Sequence, residues 1–195
     1  GYPSTFYKTG SGASTSLSMI HCGSIDCSTG NTNAKALWTG TGAGNTPSVI
    51  VSPNGYPAIA WNQSNNTDLY YTLCTNATCS NITGNGNSVV LATTGLTGTQ
   101  PQLAFGYCSE SDFLGGKDPI SCPSIAHFTS SGGNSTINLT LCDAVGCNGT
   151  VTNTSLGGTT QGQAVTNSNL GMILLSNGLP FIARGYNGGN IQAVK

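Results

Sequence analysis

Charge is nearly absent from this 195-residue chain: five residues are Lys or Arg, six are Asp or Glu, and the net charge is −1. A nucleic-acid partner needs a basic face, which five cations spread along the chain cannot build. Disorder usually goes with high charge and few β-branched residues, so this composition argues against it. Arg184 is the single arginine, which sets aside a sialidase and its arginine cluster. Glu110 is the single glutamate, and the aspartates are Asp26, Asp68, Asp112, Asp118 and Asp143. A glycoside hydrolase needs two carboxylates flanking one bond, and nothing in the spacing pairs these. No Gly-x-Ser-x-Gly elbow is present either, so no catalytic residues are assigned and the chain reads as a non-enzyme. Long apolar runs are missing too, so no transmembrane segment is expected. Nor does a secretory leader stand at the start. Gly1 is not an initiator Met, and the chain is expected to be processed or truncated.

What the chain does have is turn chemistry and short apolar runs. Residues 47–79 set the pattern. Pro47 to Val51 is rich in Val and Ile, and Pro53-Asn54-Gly55 breaks it with a strong hairpin signal. Tyr56 to Trp61 and Leu69 to Cys74 alternate, separated by the polar stretch Asn62 to Asp68. Alternation lets a strand bury one face and wet the other, which would put Trp61 and Tyr71 in a core and turn Tyr70 outward. Val89 to Thr93 makes a fourth strand.

Copies of this unit recur. The second strand returns as Gly1 to Tyr7, Gly55 to Trp61, Cys122 to Phe128 and Gly178 to Arg184. The third returns as Leu17 to Cys22, Leu69 to Cys74, Ile137 to Cys142 and Ile191 to Lys195, and the first as Pro101 to Phe105 and Leu170 to Leu175. Pro3, Pro57, Pro123 and Pro180 mark steps of 54, 66 and 57 residues. Four strands at such a period is the signature of propeller blades. The expected fold is therefore all-β: one domain, residues 1–195, with repeats at about 1–46, 47–99, 100–168 and 169–195. Its sheets are four-stranded and antiparallel, and the two outer repeats are each a strand short, giving about fourteen strands. A β-sandwich with look-alike hairpins is the alternative.

Eight cysteines fall into near pairs: Cys22/Cys27, Cys74/Cys79, Cys142/Cys147 and, around an inserted segment, Cys108/Cys122. A zinc site needs four converging ligands, and blade spacing keeps these pairs apart, with only His21 and His127 to help. Disulfides are the better reading, and they imply an oxidising, extracellular or cell-surface location. No metal or other cofactor is expected. A calcium site built on Glu110, Asp112 and Asp118 competes with a plain solvated loop. His21 replaces Leu73 and Leu141 of the other copies, which suits a partly buried structural histidine.

So little charge requires another source of solubility. Asn-x-Ser/Thr occurs at Asn62, Asn65, Asn76, Asn81, Asn134, Asn138, Asn148 and Asn153, all within the middle two repeats. N-linked glycans are expected there, with Asn138 on a strand but pointing outward.

The motif Gly-[Leu/Tyr]-Pro-x-Ile-Ala followed by Leu-x-x-x-x-Cys-x-x-x-x-Cys resembles a tandem repeat of secreted bacterial and algal proteins. That resemblance implies β-propeller-like blades and says little about function. The functional expectation is a secreted, glycosylated structural protein, a subunit of a fibre, sheath or appendage self-associating through repeats one and four. The alternative is a carbohydrate-binding or adhesin module using Tyr56, Trp61, Tyr70, Tyr71 and Phe105.

Overall fold

The structure, a computed structural model, describes residues 2–11, 14–40, 45–63, 68–80, 82, 88–92, 99–108, 121–131, 134–158, 170–175, 178–185 and 191–194. Among these the chain is all-β, with fourteen strands and no helix, so no helix is long and apolar enough to cross a membrane. The first sheet holds β1 (Ser4–Ser11), β2 (Ser14–His21) and β3 (Lys35–Gly40). The second holds β4 (Asn45–Val51), β5 (Pro57–Asn62), β6 (Leu69–Leu73) and β7 (Ser88–Ala92). The third holds β8 (Thr99–Tyr107), β9 (Ser121–Ser131), β10 (Asn134–Cys142) and β11 (Val151–Gly158). The fourth holds β12 (Leu170–Leu174), β13 (Pro180–Gly185) and β14 (Ile191–Val194). Each sheet is an antiparallel meander in chain order. Four sheets replace the two of a sandwich.

The same local devices recur from sheet to sheet. Gly55 and Gly178 both lie in the left-handed region, at φ +82° and +74°, which glycine enters without steric cost. Each closes a tight turn: Gly55 N–H donates to the Ser52 carbonyl and Gly178 N–H to that of Leu175, both at 2.8 Å. The repeat proline, first residue of β5 and β13 and third of β9, pairs with Val51, Phe105 and Leu174 in the last three sheets. Proline is tolerated at a strand's first residue, as in β5 and β13, where its missing N–H is not needed by the ladder. Its carbonyl is used instead: Cys22 and Cys74 N–H groups donate to Pro3 and Pro57, each at 2.9 Å. A bulge falls at matching places in β3, β7 and β11, where Leu37, Leu91 and Leu156 are the extra residues opposite Leu17–Ser18, Leu69–Tyr70 and Ile137–Asn138.

Alternation along β5 does not separate a dry face from a wet one. Ala58 to Asn62 are all buried, because another sheet lies on each side. Ile59, Trp61 and Tyr70 face the first sheet and meet Leu17, Met19, Leu37 and Trp38. Ala58, Ala60, Leu69 and Tyr71 face the third sheet and meet Leu103 and Ile125. Phe128, Ile137 and Leu139 of the third sheet then meet Leu170 and Ile182 of the fourth. The outward position expected for Tyr70 is thus corrected: its ring is 6 % exposed and stacks on Trp61, with centroids 4.5 Å apart. Among the described residues, the substantial contacts between strands of different sheets join first to second, second to third and third to fourth, and none joins the fourth to the first.

Candidate functional site

Disulfides join Cys22 to Cys27, Cys74 to Cys79, Cys108 to Cys122 and Cys142 to Cys147, the pairs that the spacing predicts. The three short loops share one geometry. The second cysteine has φ of 58°, 49° and 52° in turn. Its N–H donates to the carbonyl three residues back, at Ser24, Asn76 and Ala144.

These loops do more than pin the end of the third strand. In two cases the preceding sheet holds the loop: Lys35 Nζ donates to the Cys79 carbonyl at 2.6 Å, and Tyr71 Oη to the Val145 carbonyl at 2.9 Å. Burial there pushes the Tyr71 phenol well above its usual range. Cys79 and Cys147 are accordingly buried. Among the described residues nothing covers the first loop in this way. Cys27 is only half-buried, and Ile25, the counterpart of Ala77 and Val145, is 82 % exposed.

The far end of the stack is bare in the complementary sense. Ile173 pairs with Phe181 and Gly171 with Ala183, which pairs in turn with Ala193, so these residues share one face. The counterparts of Phe181 and Ala183 in the second sheet, Ala58 and Ala60, lie buried against the third sheet. In the fourth sheet Ile173 is 60 % exposed, Ala193 is exposed and Phe181 is half-buried.

A third bare feature lies along β1. It is an edge strand, and beside it runs a groove of about 850 Å³ lined by Pro3, Thr5, Phe6, Pro47, Val49 and Val51 among others. His21 is half-buried at its rim, with Nδ1 2.8 Å from Ser4 Oγ.

No family model, curated protein or solved structure matches this chain.

The other expected residues fall as follows. Asn148 and Asn153 are exposed, and Asn76 is half-buried. Asn62 is 1 % exposed inside β5, so a glycan there is incompatible with this fold. Asn138 pairs with buried His127 on the face turned toward the second sheet and is half-buried, its Nδ2 donating to Thr129 Oγ1 at 2.7 Å. Its outward placement is therefore also corrected. The side chain of Asn134, and Asn65, Asn81, Glu110, Asp112 and Asp118, lie outside the described residues. Asp26, Asp68 and Asp143 sit on three separate loops. Hydrogen bonds from Ser24 and Ser28 hold the Asp26 carboxyl down at about 2. Tyr56 is half-buried and packs with Phe6 and Val49 against the core between the first two sheets, and Phe105 packs at the next interface. Sequence reasoning gave no sign of the bare face of the fourth sheet. The signal was there in Ile173, Phe181 and Ala183, which take the places of Ile50, Ala58 and Ala60.

Proposed function

We propose that the chain is a secreted, N-glycosylated structural subunit of an extracellular fibre, sheath or appendage: a propeller-like array in which the fourth sheet of one copy covers the first sheet of the next. The observation that carries this is the mismatch between equivalent residues. Cys79 and Cys147 are buried in loops held by a preceding sheet, whereas Cys27 is half-buried and Ile25 is 82 % exposed against 38 % for Val145. Ile173 lacks a following sheet in the same way. One surface completes what the other is missing, and a contact between unlike surfaces propagates head to tail. Four intramolecular disulfides suit an oxidising compartment. A sugar-binding platform has less support, because Trp38, Trp61 and Tyr70 cover one another's rings.

Ile173→Lys tests the assembly. A lysine in the middle of the contact would have to be desolvated, while the exposed site leaves the fold intact. Sedimentation velocity on the wild-type chain is expected to show concentration-dependent association, weakened at least tenfold in the variant. A wild-type chain that stays monomeric at every accessible concentration would sink the proposal.

Glycosylation is checked separately, by glycopeptide mapping of native material. Sugar is expected on Asn148 and Asn153 and none on Asn62. Bare asparagine at both exposed sites would remove the glycoprotein part of the reading.

A further inference from the structure

The groove beside β1 is best understood by comparing β4 with β8. Strand β8 lies against β4 of the preceding sheet. There Pro101 and Leu103 are buried and Phe105 is half-buried. Two β8 amides also reach across: Gln100 N–H donates to Thr46 Oγ1 at 3.2 Å and Leu103 N–H to Ser48 Oγ at 3.0 Å. The matching residues of β4 are Pro47, Val49 and Val51. The first two are half-buried, and Val51 is 72 % exposed. What β8 has and β4 lacks is a first strand in the sheet before it. The groove occupies that place, and the free edge of β1 forms one wall.

We propose that this edge is an acceptor site for an extended, uncharged strand of the β4 and β8 type, supplied by another polypeptide. An open edge offers a row of backbone N–H and C=O groups, and strand addition satisfies them while pockets for alternate side chains set the register. That register follows from the other sheets. Val51, Phe105 and Leu174 pair with the repeat proline of the second strand, and Val49, Leu103 and Met172 with the isoleucine two residues on. The guest therefore places apolar residues opposite Pro3 and Thr5. Between them, opposite Ser4, it carries a residue like Ile50 or Ala104, turned toward the second sheet and covering β4. Opposite Phe6 it carries a Ser or Thr, whose hydroxyl accepts from the Val49 amide as Ser48 does from Leu103. The chain itself contains one such sequence, residues 45–52, NTPSVIVS.

The inference rests on the reading of the chain as an assembling subunit, but its test does not. A labelled peptide NTPSVIVS is titrated by fluorescence anisotropy into the Ile173→Lys chain, in which the end-to-end contact is disabled. Saturable binding of one peptide per chain is expected, at least tenfold weaker for NTPSDIDS, whose charges fall opposite Pro3 and Thr5. Val51→Lys, at a site exposed enough to leave folding untouched, should weaken binding by a similar factor. Hydrogen exchange should slow at β1 amides when peptide is present. No saturable binding, or equal binding of both peptides, overturns the proposal. So does a β1-to-β1 dimer that the peptide cannot displace, which would assign the edge to a second copy. Peptide failure alongside wild-type end-to-end association removes this site alone. Peptide binding by a chain whose wild type never associates removes the assembly reading alone.

Discussion

Trp61→Ala is expected to lower the stability of the fold by about 3–5 kcal/mol, the range for truncating a fully buried large aromatic. Trp61 is wholly buried. It stacks on Tyr70 at an interplanar angle of 11° and meets Trp38 at 4.9 Å and 58°. Removing the indole therefore opens a cavity between two sheets that stay in place. The cost is the lost burial plus the unfilled space. The Trp61 Nε1 hydrogen bond to Thr72 Oγ1, at 3.3 Å, is a smaller part. Thr72 keeps its contact with Ser88 Oγ at 2.7 Å, so Trp61→Phe should cost less than half as much. Urea denaturation with the disulfides intact gives the comparison. A loss under about 1 kcal/mol for Trp61→Ala would mean that the ring is not core but an available surface.

The second large effect is acid lability centred on His127. This residue is 1 % exposed and faces the second sheet from the place that Trp61 holds in its own sheet. Its Nε2 lies 3.0 Å from Thr140 Oγ1, and that hydroxyl donates onward to Asn153 Oδ1. Thr140 must then accept from His127, which fixes the neutral Nε2–H tautomer. A second proton would go to Nδ1, which makes no well-formed hydrogen bond and has only the neighbouring Phe128 backbone to favour it, too little to offset burial. Burial lowers the imidazole pKa from 6.5 to about 4. The unfolded chain then binds a proton that the folded chain refuses. Stability is fully present above pH 6.5, falls as the pH drops toward 4, and has no more to lose below it. The total is about 3 kcal/mol. Few groups compete in that window, because the chain has six acidic residues and Asp26 is held at about 2. Melting curves between pH 7 and 4 should show the loss, and His127→Gln should flatten it. An equally steep profile in the variant would assign the acid sensitivity elsewhere.

Local chemistry made much of this fold readable. Asn54-Gly55, the prolines at 3, 57, 123 and 180, and the cysteine spacings each report a turn or strand end within a few residues. Those signals placed the strands and counted them. Burial was not readable in the same way, because whether Tyr70 is wet depends on Trp38, thirty-two residues away in another sheet. Alternation in β5 and β6 was real, but it divides two buried neighbours rather than core from solvent. The repeat aligned Tyr7, Trp61, His127 and Arg184, each four residues past a marked proline, but did not show what each meets beyond its own sheet. Register fixes their place, and their chemistry differs. Strand β11, mostly exposed Thr, Asn and Ser, shows no pattern from which an edge strand could be read.

The turn joining first to second strand is tight in the second and fourth sheets, yet the third sheet carries an insertion there. Cys108 and Cys122 are fourteen positions apart in sequence with their Cα atoms 4.8 Å apart. The flanking strands still pair in step, Gly106 with Cys122 and Tyr107 with Ser121. The bridge therefore sets the span that the sheet sees, whatever the length of chain between the two cysteines. Loop length adds only slowly to the entropy of closure. That corner is a natural graft point: a foreign epitope or recognition loop spliced between the two cysteines would be displayed from the scaffold without the neighbouring strands having to change.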